Sequence, residues 1–539
     1  MTRRSGALRG PSGGLLFLAG VLLLSAARVR LPGRALAAEG GAGSAAATGG
    51  GAASGAGAGA GGGLPMRVAT EGRTIDEERQ RQAELATRLL TALPARALDA
   101  PVRLEPTREE IRSVVRPGLP RDEPLRIGVV KSLSARLDIA GLATARRGAG
   151  GPTKDGGYEW AVAVVSPPAG AMRFHIEGME LPPGAELFLF SRAGEAFGPY
   201  TGNGPNDDGE FWTDTLFGGE AILQVHVPPP ATADEVAQVA FLVSEAGLVL
   251  PRFAGPGTDA IANLARPPAG RGGSVAGDGS AAGIALQAPS GPFPCGSPAC
   301  LVDATCTGTV SAATLARNAV AKMEWPRGHF LYTCSGALIN DDNPDRDNLF
   351  LTAAHCLDRN RFALNVQFYW RFATSSCNGQ CPANEGWPFR TAGAVVLATG
   401  RRGDYTLLQL LAPPPAGSVF LGWSTDPVAD SAGLPLYRIS NPDFGPQVYS
   451  RHDVDPAAPM CAGWPHGFFI YTHDIVGAID GGSSGSPLFN AQAQIVGQLS
   501  GSCGSDVSDV CSSGPDEANS TVDGAFAAYF PRLQPILAP

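Results

Sequence analysis

The chain has 539 residues, of which 17% are charged, with 41 Lys and Arg against 50 Asp and Glu for a formal net charge of −9. That length exceeds one ordinary domain and fits about three, and the acidic balance excludes the basic stripe that nucleic-acid binding requires. Gly (71) and Pro (46) are abundant, but they concentrate in particular stretches, which marks linkers rather than a disordered whole.

Arg3, Arg4 and Arg9 precede an apolar run from Leu15 to Leu24, and Ala35-Leu36-Ala37 offers small residues for cleavage. Residues 1–37 therefore read as an export signal. The run is too short to span a bilayer comfortably and no later stretch approaches a membrane span, so no membrane association is expected once the signal is removed. Residues 38–63, nearly all Gly, Ala, Ser and Thr, form a linker with nothing to bury. In the segment 64–125, Thr74 and Glu77 make a capping-box pattern, Leu85, Leu89 and Leu93 share one helical face, and Pro94 ends the run.

From 126 to 250 the hydrophobic period changes to two. Trp160, Val162 and Val164 alternate with small neighbours, and Phe174 and Ile176 flank His175. Pro182-Pro183-Gly184 is a turn before the strand Glu186 to Phe190, and Ala221 to Val227 continues the pattern. This predicts an antiparallel β-sandwich. His175 and His226 sit inside strands, where a lone histidine is more often structural or exposed than a metal ligand. Residues 251–290, rich in Gly, Ala, Pro and Arg, form a second linker open to processing. The remaining 291–539 are ample for a two-barrel β domain.

All ten cysteines lie between Cys295 and Cys511. An even, clustered set in an exported chain points to disulfides. No paired CxxC has suitably spaced partners, so a zinc site is disfavoured.

Three strings in the last segment carry chemistry: Leu351-Thr352-Ala353-Ala354-His355-Cys356, then Gly403-Asp404-Tyr405, then Gly481-Gly482-Ser483-Ser484-Gly485-Ser486-Pro487. The order His, Asp, Ser within about 130 residues is that of a hydrolytic triad, in which a serine hydroxyl needs a base and the base needs a carboxylate to hold its tautomer. His355 is the candidate base, Asp404 its orienting carboxylate and Ser484 the nucleophile, with Ser483 and Ser486 as alternatives. Gly482 and Gly485 permit a tight turn. The backbone N–H groups of Gly482 and Ser484 are placed to form an oxyanion hole. No metal or organic cofactor is called for.

Residues 295–535 resemble the trypsin-like serine endopeptidases, and within them the secreted bacterial lysyl endopeptidases. The resemblance implies an all-β catalytic domain, a chymotrypsin-like double six-stranded β-barrel, that acts on polypeptide substrates as a monomer through an acyl-enzyme. It implies bridges Cys334–Cys356, Cys306–Cys377 and Cys300–Cys503, and leaves Cys295, Cys381, Cys461 and Cys511 with three possible pairings. It also implies that Ser500, Gly501 and Ser502 pair with an extended substrate. Ser483 replaces the aspartate that in most relatives captures a new N-terminus on activation. Ala478 and Thr521 stand where a pocket carboxylate is expected and Ser500 where the lysyl branch has histidine, so lysine specificity is not implied. Asp480 and Asp523 remain acids within reach of that pocket.

Residues 64–290 are expected to be either a prodomain or a retained binding module. The competing reading of the whole is a secreted protein- or carbohydrate-binding protein with an inactive protease domain, against which the intact His355, Asp404 and Ser484 stand. An esterase of the α/β-hydrolase class would have the order Ser, Asp, His and a Gly-x-Ser-x-Gly elbow, which this chain lacks.

Overall fold

The computed structural model describes residues 63–114, 123–133, 137–250, 300–308, 311–343, 346–379, 388–515, 517 and 519–539. The predicted export signal, the first linker up to residue 62, the linker 251–290, Cys295 and Cys381 lie outside the described residues.

Helix α1 (Ile75–Ala92) starts at Thr74, whose hydroxyl accepts the Glu77 N–H while Glu77 accepts the Thr74 N–H at 2.8 Å. Ala86 and Leu89 on its inner face are buried with Ala161, Phe188 and Ile222, so the helix covers the outer side of a sheet. That sheet runs β5 (Ala196–Thr201), β4 (Glu186–Phe190), β6 (Glu220–Val227), β2 (Tyr158–Val165). The facing sheet contains β3 (Ala171–Glu180), β7 (Ala240–Val249) and β1 (Leu125–Ser132). Alternation places Val162, Leu187, Leu223 and Val225 of one sheet against Phe174, Ile176, Val243 and Ile127 of the other, one apolar core between two layers.

The C-terminal part holds two further β units. The second is a closed barrel of six strands: β15 (Pro435–Ser440), β16 (Val448–Val454), β17 (Phe469–Val476), β20 (Asn519–Ala525), β19 (Gln494–Gly504) and β18 (Pro487–Phe489), which pairs back onto β15. The first is a curled sheet in the order β13 (Ala394–Gly400), β14 (Tyr405–Leu410), β10 (Leu349–Ala353), β9 (Phe330–Leu338), β8 (Val320–Arg327), β11 (Gln367–Trp370), β12 (Phe389–Ala392). Its two ends, β12 and β13, are consecutive in the chain across Gly393, so it curls into a half-barrel. The C-terminal helix α2 (Phe526–Leu537) buries Phe526, Tyr529 and Leu533 with Tyr405 and Leu407 of the first unit and Ile495 of the second.

The boundary between sandwich and catalytic part is not a clean one. Strand β1 pairs with β7 on one side and with β9 on the other, Leu125 opposite Thr333 and Val129 opposite Phe330. One sheet thus runs from the sandwich into the half-barrel. Residues before α1 also dock on the C-terminal part: Gly63–Leu64 pairs with Trp423–Ser424 and Arg67–Val68 with Val419–Phe420. Unpaired backbone groups on edge strands seek partners. Here each half satisfies the other's edge, which the two sequence segments read separately do not show.

Candidate active site

His355 sits in the turn just after β10, and Asp404 in the turn just before β14, the strand paired with β10. Pairing Ala353 with Tyr405 therefore brings the two side chains together. His355 Nδ1 lies 2.7 Å from Asp404 Oδ2, and Asp404 Oδ1 accepts the His355 backbone N–H at 2.9 Å. An ionised carboxylate makes Nδ1 the protonated nitrogen and leaves Nε2 as an acceptor. Asp404 is held in a left-handed conformation (φ 51°) after Gly403 (φ 93°). Its carbonyl accepts from Ala354 N at 3.0 Å and from Gln498 Nε2 at 2.9 Å. Gln498 in turn accepts from the Tyr529 hydroxyl of α2. The backbone of Asp404 is thus anchored from both β units.

Residues 481–486 form the turn leading into β18. Gly482 has φ 95°, and a Cβ there would lie 3.0 Å from the Asn441 carbonyl oxygen. Gly485 (φ 78°) is pressed onto the half-barrel, where a Cβ would lie 2.6 Å from Ser335 O and 2.8 Å from Ala353 N. Ser335 donates its N–H to Ser484 O at 2.8 Å and its hydroxyl to Gly482 O at 2.9 Å. The strand β9 that holds this turn is also tied to the histidine segment by the Cys334–Cys356 disulfide. Lys322 is fully buried nearby: its amine donates to Phe444 O at 2.9 Å over the Phe444 and Phe372 rings, and burial holds its pKa well below the ordinary lysine range.

The three serines of the turn differ in environment. Ser483 and Ser486 are fully buried. Ser483 Oγ accepts from Ser440 Oγ at 3.0 Å and Ser486 Oγ from Arg438 Nη1 at 3.1 Å. Ser484 alone of the three is partly exposed. Ser483 N bonds Asp480 O and Gly485 N bonds Leu499 O, whereas among the described residues no backbone acceptor takes the N–H of Gly482 or Ser484. Those two N–H groups are the pair the sequence marks for an oxyanion hole.

A cavity of about 560 Å³ is lined by His355, Asp404, Ser500, Trp464, four arginines and Glu123. Ser500 reaches it; Ala478 and Thr521 do not line it. Ala478 is buried against Leu301 and Val448. The Thr521 hydroxyl donates to Asp474 Oδ1 at 2.8 Å, which also accepts from His452 Nδ1 at 2.7 Å. Gly501 and Ser502 lie on β19 opposite Val522 and Thr521. Both oxygens of Asp523 accept from Arg438 Nη2, at 2.7 and 2.8 Å, both side chains fully buried. Asp480 Oδ1 accepts the Gly481 N–H at 2.7 Å. This buried Arg438–Asp523 and His452–Asp474 network is not legible in sequence, because its members are 14 to 85 residues apart and no short motif joins them.

Four disulfides are described: Cys306–Cys377, Cys334–Cys356, Cys300–Cys511 and Cys461–Cys503. The implied Cys300–Cys503 bridge is therefore corrected. Cys503 on β19 faces the 458–464 segment beside Tyr471 and Val522, where Cys461 meets it. Cys300 meets the loop that follows β19 instead. Cys334, Cys356 and His355 bring three ligand-type atoms close together, but both sulfurs are in a disulfide and offer no thiolate to a metal.

Residues 296–515 match the family model for the lysyl endopeptidase C-terminal domain. Over 208 residues the chain is 33% identical to a lysyl endopeptidase of Pseudomonas aeruginosa, covering 38% of this chain and 44% of that protein. The chain thus spans under half the length of the curated relative it matches. Among solved structures it is similar to the active form of the Rv3671c protease of M. tuberculosis, at 20% identity over 42% of this chain and 85% of that one, with a TM-score of 0.27. It is also similar to an inactivated protease paralogue of the scabies mite, at 14% identity over 41% and 95% of the two chains, with a TM-score of 0.30.

Proposed function

We propose that this chain, whose C-terminal part is lysyl-endopeptidase-like and trypsin-like in type, is a secreted serine endopeptidase that hydrolyses peptide bonds through an acyl-enzyme. The observation that carries the reading is the His355–Asp404 pair at 2.7 Å beside a glycine turn with one accessible serine. In the proposed cycle Ser484 Oγ attacks the substrate carbonyl and gives its proton to His355 Nε2. Asp404 stays ionised and stabilises the resulting imidazolium. The oxyanion is received by the N–H groups of Gly482 and Ser484. His355 then protonates the leaving amine, and water repeats the sequence on the ester. Four disulfides fit an oxidising compartment.

In the same proposal residues 64–290 act as a prodomain. The support is the ladder of β1 on β9, which sets Leu125 and Arg126 opposite Thr333 and Tyr332 and so brings the start of β1 to the site. Leu125 packs on Gly481, where a Cβ would lie 3.2 Å from Leu125 Cδ1, and Glu123 lines the cavity that holds His355. A strand in that position excludes an extended peptide from the same edge.

The test is labelling with a serine-directed fluorophosphonate followed by peptide mapping. Label on Ser484, with hydrolysis lost in Ser484→Ala while secretion and thermal unfolding are unchanged, is the expected result. Label elsewhere, or hydrolysis at the parent rate in the variant, would overturn the assignment.

A further inference from the structure

The chain as a whole carries more acidic than basic residues, 50 against 41, yet the cavity beside His355 is rimmed by Arg327, Arg359, Arg361 and Arg401. These arrive from three separate places: the end of β8, the segment after His355, and the turn before Asp404. All four are exposed. Of the carboxylates lining the cavity only Asp358 pairs with one of these arginines. Asp404 is engaged by His355, and Asp358 reaches only Arg359, at 3.6 Å. Among the described residues no carboxylate lies within 4.0 Å of the Arg327, Arg361 or Arg401 guanidinium. Phe362 holds two of them in place, with Arg361 at 4.6 Å and Arg327 at 5.6 Å from its ring centre.

A concave site walled by one sign of charge concentrates the opposite sign, and a guanidinium fork matches a carboxylate with two hydrogen bonds. We propose that these arginines select substrates with an acidic side chain next to the scissile bond. The proposal rests on the proteolytic reading above. Glu123 of the upstream part also lines this cavity, but its carboxylate is held by Arg126 of its own segment at 2.8 Å and leaves the rim arginines to a substrate. It also follows the state of the buried acid behind the site. Asp523 is paired with Arg438 and is not available to a cationic substrate residue.

The experiment takes the protein as secreted from the full-length gene and digests a peptide library, followed by matched peptides that differ only as Glu against Gln or Asp against Asn. One charge-assisted contact of about 1.5 kcal/mol corresponds to roughly a tenfold higher kcat/KM for the acidic member. The preference should shrink as salt rises. The double variant Arg361→Gln, Arg401→Gln should bring the acidic peptide down toward its neutral partner and move the neutral partner little. Cleavage with no acidic preference, or equal loss on both peptides in the variant, overturns the proposal while leaving proteolysis intact. Absence of both cleavage and fluorophosphonate label overturns the proteolytic reading, and this inference with it.

Discussion

Asp523 and Arg438 show how a residue's role depends on its partner. Both are fully buried and bonded twice to each other, and Arg438 also reaches Ser486 in the serine turn. Removing one charge strands the other in a place that cannot solvate it, which costs about 3–5 kcal/mol. Asp523→Asn should therefore lower stability by that amount in urea unfolding. The pair change Arg438→Met with Asp523→Leu should recover most of it. If the single and double variants unfold at the same denaturant concentration, the pair is not what holds this layer. At the same scale, sequence context singles out His355, Asp404 and Ser484. Burial and bonding set Ser484 apart from Ser483 and Ser486 as well, since only the latter two are fully buried and held by Ser440 and Arg438.

At the scale of elements, β10 and β14 place base and carboxylate by their register, and β9 carries the link to the serine turn. The Cys334–Cys356 bridge closes a loop with a sequence separation of 22 around the histidine. Its removal by Cys334→Ala with Cys356→Ala should cost about 3 kcal/mol of stability. It should also lower hydrolysis more than the stability loss explains, because the segment that carries His355 gains freedom. A variant that keeps full turnover at temperatures where it remains folded would show that β10 and β14 suffice. The strands themselves were legible from alternation, and α1 from its cap and leucine face. The partner of β1 was not, because a period of two says which face is buried and nothing about which edge is filled.

Across the whole molecule, the two parts are joined by more than the β1–β9 ladder. Arg173 of the sandwich lies 3.7 Å from Glu324, and Glu195 pairs with Arg390, all four side chains being at most 1% exposed. Thr215 donates to Glu324 at 2.9 Å, Gln367 to Asp214 at 2.7 Å and Asn365 accepts from Trp212 N at 3.0 Å. Burial lowers the Arg390 pKa to about 9 and raises that of the Asp214 carboxyl. Charges buried this way are tolerable only while their partners stay. A chain cut within 251–290 should therefore stay associated in native gel filtration, without a covalent bridge, since all ten cysteines lie on one side. Separation of the two fragments under native conditions would contradict this account. If the upstream part is a prodomain, cutting the linker is not enough to free the site, and the sandwich must be digested or stripped away.

What the sequence determined by itself is local. Short motifs name the candidate base, carboxylate and serine. Alternation names the strands, and composition names the linkers. What only the tertiary structure decided is every relation between distant segments: Cys300 with Cys511 rather than Cys503, Asp523 with Arg438 rather than an open pocket, and β1 on the edge of the half-barrel. The physical reason is common to all three. Hydrophobic period and turn chemistry act within a few residues. Disulfide partners, buried ion pairs and sheet edges are chosen by which groups are brought together once the core has formed.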